Sequence, residues 1–144
     1  MWIPPVLFSV FLIVTVCCYF VFPGLNLIPI PINLSGIVIS FAGLMLMGKA
    51  AQLFKKYQTT MTFEKSTFLI REGVFSKTRN PAYIGMFLIL IGIGICLGNM
   101  LSLFTPFMFT LLTHYLFVLK EERLMFQAFG QKYLDYKTKV KRWI

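Results

Sequence analysis

Three stretches of this 144-residue chain carry groups able to do chemistry: Arg79-Asn80-Pro81, the pair Glu121-Glu122, and His114. Proline fits the first position of a helix, and the residue before it is pushed out of helical geometry into the capping place, so a helix opens at Pro81. Its free amides, the positive end of its dipole and the Arg79 guanidinium then converge, an arrangement suited to an anionic group. Glu121 and Glu122 are two of only five acids in the chain, and they follow its last apolar run. Acids at the end of a helix are opposed by the dipole and do not serve as membrane-boundary cations, so the pair is a cost without a structural return. His114, the one histidine, precedes Glu121 by seven residues, which puts both on one face of a regular helix. An ionisable group inside an apolar span is a functional candidate by default. Each has a plain alternative: a boundary arginine, a solvated acid pair beside Lys120 and Arg123, a histidine hydrogen-bonded to a neighbouring helix.

The elements that must position these groups are membrane helices. The chain is 58% hydrophobic, 17% aromatic and 13% charged, far from the soluble average. Its fourteen Lys and Arg against five Asp and Glu give a charge of +9, but every charge lies in Lys49–Arg79 or Lys120–Arg142. Two basic blocks against anionic lipid account for this, and nucleic acid is not expected. Cys17, Cys18 and Cys96 sit in apolar runs without metal-ligand spacing, so neither a disulfide nor a metal is expected.

The expected fold is all-α and integral to the membrane, one domain over 1–144 with four spans near 2–22, 34–54, 81–97 and 100–119. The first span has no charged n-region or small-residue cleavage site, so it reads as a retained span and not a signal peptide. Pro23-Gly24 closes it, and the uncharged segment to Asn33 makes an external turn. Segments 55–80 and 120–144 are cytoplasmic, as are both termini, by the positive-inside rule. Between Lys55 and Asn80 the chain mixes Thr59, Thr60, Thr62 and Glu64 with Phe63, Phe68, Leu69 and Phe75, with Thr67–Ile70 extended and a turn at Gly73. Gly85 and Gly92 share one helix face and Gly94 and Gly98 another, for close helix approach. Gly98-Asn99 folds the last two spans into a tight hairpin. From Glu121 on, Phe126, Phe129, Tyr133, Tyr136 and Val140 recur at three and four residues, an amphipathic interfacial helix whose stripe is expected to pack. The hairpin brings Arg79 and Asn80 beside Glu121 and Glu122 at the cytoplasmic surface, an anion site next to a cation site, suited to a zwitterion.

These residues also form an ordered pattern: Gly73-Val74-Phe75, then Arg79-Asn80-Pro81-Ala82-Tyr83 with Gly85, then Glu121-Glu122 with Leu124, then Phe129-Gly130-Gln131-Lys132-Tyr133-Leu134-Asp135-Tyr136. In this the chain resembles integral membrane methyltransferases of the isoprenylcysteine carboxyl methyltransferase type, with a more distant likeness to phospholipid N-methyltransferases. The likeness runs from about Thr59 to Trp143. It implies S-adenosylmethionine as methyl donor, held at the cytoplasmic end of the hairpin, with Gly73, Phe75, Arg79, Asn80, Tyr83, Glu121 and Glu122 of the pattern as candidate donor-binding residues; His114 joins them as the ionisable group of the last span. It also implies a lipophilic or prenylated acceptor (carboxylate, amine or thiol) entering from the bilayer, and a bacterial inner membrane as the setting. Asn80 stands where the family pattern has histidine; it can hydrogen-bond but not ionise. Methyl transfer rests mainly on in-line placement, so no general base is assigned. Two other readings are a nicotinamide-dependent reductase of the membrane sterol type, for which the cytoplasmic segments leave little room, and a small four-span transporter or partner subunit. The latter lacks the intramembrane acid that proton-coupled carriers use.

Overall fold

A computed structural model describes residues 3–58 and 68–144; the expectations for Thr59, Thr60, Thr62, Phe63, Glu64 and Thr67 lie outside the described residues. Among the described residues the regular structure is helical: α1 (Ile3–Val21), α2 (Ser35–Lys56), α3 (Pro81–Leu97), α4 (Thr105–Thr113), α5 (Leu119–Phe129) and α6 (Gln131–Lys139). A π-helical turn, His114–Val118, joins α4 to α5 without a break. Two of these helices, over Pro4–Val21 and Ile32–Lys56, are long and apolar enough to cross a membrane. Their side chains face outward: Ile13 is 62% exposed, Val38 71% and Phe41 62%. In water such a surface would be an association liability; against lipid it costs nothing.

Between helices in lipid there is little hydrophobic drive, so close packing and buried hydrogen bonds hold the bundle. Glycines supply the first. A Cβ on Gly43 would lie 2.6 Å from the Gly85 carbonyl oxygen, and Gly36 and Gly92 face each other the same way one level up. Thus α2 and α3 touch backbone to backbone, on the Gly85–Gly92 face expected from the spacing. Threonine and serine supply the second. Thr15 of α1 meets the Thr105 hydroxyl at 2.5 Å, and the Ser102 hydroxyl donates to the Thr15 carbonyl at 2.7 Å, all three residues being buried. Phe8 and Phe11 of α1 pack edge-on against the fully buried Phe109 of α4.

Helix α3 opens on Pro81 and closes on Gly98, whose φ of +69° lets its amide reach the Gly94 and Ile95 carbonyls. The next residue, Asn99, is fully buried and ties two turns together, donating to Phe22 O and Asn26 Oδ1. The last apolar run becomes helical at Thr105, with residues 100–104 in turns, later than the Met100 start expected. Asn99 explains the delay: its Oδ1 accepts from the Ser102 amide, holding the chain in a turn before Pro106 starts the helix.

The amphipathic tail also departs from expectation. It is two helices, because Gly130 (φ +52°, ψ −125°) breaks it between α5 and α6. Tyr133, Tyr136 and Val140 turn inward onto Leu69 and Met125, with Phe129 packed alongside, while Phe126 is left outside. Phe68–Ile70 form no strand, and Leu69 and Ile70 are buried.

Candidate functional site

The connector before α3 carries Arg79 and Asn80 to the first turn of α5, where Glu121 and Glu122 stand. Arg79 bonds through Nη1 to Glu122 Oε1 at 2.9 Å, with side-chain exposures of 8% and 11%, and donates to the Tyr133 hydroxyl at 3.3 Å. Arg142 clamps the same carboxylate two-pronged, Nε to Oε1 at 2.8 Å and Nη2 to Oε2 at 2.9 Å, and Lys137 stands 3.8 Å away. The expected anion and cation sites are therefore brought together, but close enough to pair with each other. Burial pushes the Glu122 carboxyl up; the Arg142 hydrogen bond and the charges of Arg79, Arg142 and Lys137 outweigh it and hold Glu122 below the usual carboxylate range.

Glu121 lives differently. Its Oε1 accepts the Tyr83 hydroxyl at 2.8 Å, and its Oε2 is buried without a hydrogen-bond partner. Burial raises its carboxyl to about 7, against the smaller lowering effect of the Tyr83 bond. Arg79 likewise keeps a buried Nε without a partner. Glu121, Glu122, Arg79, Asn80 and Phe75 all line one cavity, closed by Tyr133, Tyr136, Met125 and the Phe68–Ile70 segment. Its volume is about 30 Å³, room for about two waters.

Asn80 occupies the N-cap position of α3, yet its side chain does not cap the helix. It donates instead to the Arg142 carbonyl at 3.1 Å, which also accepts from Thr78 Oγ1, while the Arg79 amide bonds to the Lys141 carbonyl. The tail needs donors at this point, and that demand outranks capping. An imidazole N–H could meet it too, which gives the histidine of the family pattern a plain counterpart here. Gly73 does not line the cavity. Its φ of +58° makes the turn that sends Phe75 inward, where the Phe75 carbonyl receives the Tyr136 hydroxyl at 2.7 Å.

His114 is not on the Glu121 face. The Leu119 amide bonds back to the His114 carbonyl, five residues away, so one extra residue enters this turn and shifts the faces by about 100°. His114 opens instead onto a second, apolar cavity of about 480 Å³, with Tyr83, Phe87, Phe107, Leu111 and Trp143 in its wall. Its ring lies 6.1 Å from that of Trp143, and its Nδ1 is buried without a partner. Tyr83 belongs to both places: its side chain lines the apolar cavity and its hydroxyl ends on Glu121. Sequence reasoning missed Arg142 and Trp143, which carry no motif signal, and left Tyr133 and Tyr136, though part of the ordered pattern, outside the site as a packing stripe. The tyrosine spacing signalled their shared face but not the cavity it closes.

Fold and site define a class, a helical membrane protein that gathers its buried charges at one end of its helices. The family is narrower. A family model described as "Phospholipid methyltransferase" matches residues 31–132, and the chain belongs to that family. It is 36% identical over 78 residues to the protein-S-isoprenylcysteine O-methyltransferase of Saccharomyces cerevisiae, covering 54% of this chain and 32% of the relative. With the protein of the same name in Schizosaccharomyces pombe it shares 30% identity over 79 residues, 53% of this chain and 32% of the relative. The matched region thus spans about a third of each yeast protein. An uncharacterised protein of Haemophilus influenzae is 34% identical over 62 residues, 43% of this chain and 98% of that one.

Proposed function

We propose that this chain transfers a methyl group from S-adenosylmethionine to a lipophilic acceptor at the cytoplasmic face of a membrane. The observation that carries the reading is the pair of orphaned groups in the polar cavity, the Arg79 Nε donor and the Glu121 Oε2 acceptor, one apolar wall away from a cavity of about 480 Å³. A donor with a carboxylate and a cationic centre answers both groups. Arg79 Nε takes the carboxylate, Phe75, Tyr133 and Tyr136 bound the space around it, and Glu122 serves by holding Arg79 in place. At about 30 Å³ the cavity admits the charged end of the donor only after its wall parts, and Phe68–Ile70, which with Arg79 and Asn80 makes the non-helical part of that wall, is the segment to move. Bound S-adenosylmethionine supplies an electrophilic methyl carbon on a sulfonium sulfur. The apolar cavity takes the acceptor's chain.

The membrane arrangement belongs to the same reading. Four spans, α1, α2, α3 and the helical run from Thr105 to Leu119, form a single domain with α3 and α4 as an antiparallel pair, and both basic blocks and both termini are cytoplasmic. At 17 residues, α3 covers about 26 Å, close to the bilayer core once its flanking turns are added. A bacterial inner membrane is the setting, in keeping with the Haemophilus relative.

Titration calorimetry with S-adenosylhomocysteine, the demethylated product, tests the donor site in detergent or lipid. Binding is expected in the parent protein, and at least tenfold weaker binding in Arg79→Lys, which keeps the charge facing Glu122 but loses the Nε–H. No binding by the parent protein would overturn the reading.

A further inference from the structure

Polar side chains in the wall of the apolar cavity find partners inside the protein, with one exception. The Tyr83 hydroxyl donates to Glu121, and the Thr110 hydroxyl donates to the Pro106 carbonyl at 2.9 Å. His114 lines the same wall with a buried Nδ1 that has no partner. A buried nitrogen left unpaired is a cost, and native structures rarely keep one without a use for it. Its ring is also held in place, edge-on to Tyr115 at 5.1 Å and tilted against Trp143 at 6.1 Å. The π turn is an independent sign. With a regular helix His114 would share the Glu121 face; the extra residue at 114–118 turns it onto the apolar cavity. Such insertions worsen the hydrogen bonding of a helix and recur at functional positions.

We infer that His114 is a positioning residue for the acceptor lipid: its Nδ1 hydrogen-bonds a polar group set into the acceptor's chain behind the methylated head. The cavity then selects a chain bearing a hydroxyl, amide or ester at that depth over a bare hydrocarbon chain. The inference rests on the assignment of the apolar cavity to the acceptor's chain under Proposed function, and it is independent of the chemistry of the head.

The depth follows from the helix. His114 precedes Glu121 by seven residues in one helical run, about 10 Å along the axis. Tyr83, whose hydroxyl ends on Glu121, marks the end of the apolar cavity nearest the polar one. An acceptor with its head at that end therefore passes His114 with the part of its chain about 10 Å behind the head. Nδ1 donates or accepts according to its tautomer, and a hydroxyl answers either. A bare chain covers Nδ1 with methylene groups and leaves it unpaired. A site built around a hydrogen bond discriminates in this way against the analogue that lacks it.

His114 is the one histidine of the chain, so untagged protein labelled with nitrogen-15 in its histidine ring gives a single pair of ring-nitrogen resonances. The probes are stearate, 2-hydroxystearate and 10-hydroxystearate, added to the protein in lipid nanodiscs. The expected result is that 10-hydroxystearate moves the Nδ1 resonance and the other two do not. Affinities are read from Trp143 emission in a Trp2→Phe background. The parent should bind 10-hydroxystearate about fivefold or more tightly than stearate. His114→Phe keeps an aromatic ring without the nitrogen and should bring the two chains within about twofold, by loss of the hydroxylated one alone. His114→Asn, which returns a side-chain amide, should restore the preference. Titrations with S-adenosylhomocysteine should change by less than about threefold in both variants. An Nδ1 resonance unmoved by 10-hydroxystearate, equal movement by 2-hydroxystearate, or a preference that survives in His114→Phe would overturn the inference and leave the donor site standing. Absence of S-adenosylhomocysteine binding by the parent would instead remove the reading beneath it.

Discussion

Substituting Glu122 by glutamine tests whether one carboxylate organises the polar end of the bundle. The change keeps shape and hydrogen-bonding capacity but removes the charge that Arg79, Arg142 and Lys137 share. Removing one partner of a buried pair costs about 3 to 5 kcal/mol, chiefly because the opposite charge is left buried. Arg79, 8% exposed, is stranded in this way, whereas Arg142, 30% exposed, is partly hydrated. The lower limit, about 3 kcal/mol, is therefore expected, and for a chain of this size that is a fall of roughly 10 °C in melting temperature. The assay is a thermal melt in detergent followed by thiol-reactive dye or tryptophan emission, with Glu121→Gln as the comparison. The two acids have opposite signs of pH linkage. Glu122 is depressed in the folded state, so its contribution is present above the ordinary carboxylate range and is lost as pH falls through the lowered folded value. Glu121 is raised to about 7, so it favours folding below the ordinary carboxylate range and that gain is lost as pH rises through 7. At pH 8, Glu121→Gln should melt at or above the parent while Glu122→Gln melts well below it. Equal melting of Glu122→Gln and parent within 2 °C or so would refute the ion cluster as the organiser of this end.

Three further substitutions have definite outcomes. Tyr83→Phe removes the one hydrogen bond that lowers Glu121, so the Glu121 carboxyl, followed by infrared difference spectra against pH, should titrate higher than in the parent. Asn80→Leu removes one of the two donors to the Arg142 carbonyl, at a cost of about 1 kcal/mol, whereas Asn80→His should melt near the parent because its ring N–H can serve the same carbonyl. Gly43→Leu places a side chain where even a Cβ would sit 2.6 Å from the Gly85 carbonyl, forcing α2 from α3; monodisperse yield on gel filtration should collapse, while Gly48→Leu, at a glycine with open space around it, should not.

The features legible in the sequence were those fixed by local rules. Pro81 starting α3, Gly98 ending it, and a close-approach face at Gly85 and Gly92 follow from backbone geometry alone; that α2 is the helix pressed there does not. The meeting of Arg79 with the Glu121-Glu122 pair also follows, once the turn at Gly98-Asn99 is read. What escaped needed knowledge of competition between partners. Whether Arg79 would face a ligand or Glu122 depended on how many cations reached Glu122, and one of them, Arg142, comes from a tail with no recognisable motif. The shared face of His114 and Glu121 failed because a regular helix was assumed across residues 114–118, and nothing in His-Tyr-Leu-Phe-Val announces a π turn. Asn80 was legible as a helix start but not as a clamp, because its acceptor lies 62 residues away in the chain.

The tail is the element that contributes to the walls of both cavities. Its α6 tyrosines close the polar cavity, Arg142 sets Glu122 and with it Arg79, and Trp143 lines the apolar cavity beside His114. Its backbone is held by Thr78, Arg79 and Asn80, the same three residues that lead into α3. A displacement of Lys141–Trp143 would therefore loosen Arg79 and open the apolar wall at once. The π turn works in the same direction, since it lets one continuous helix present His114 to the apolar cavity and Glu121 to the polar one. With a regular helix in its place both groups would face one side, and the Tyr83–Glu121 bond would no longer stand between the two cavities.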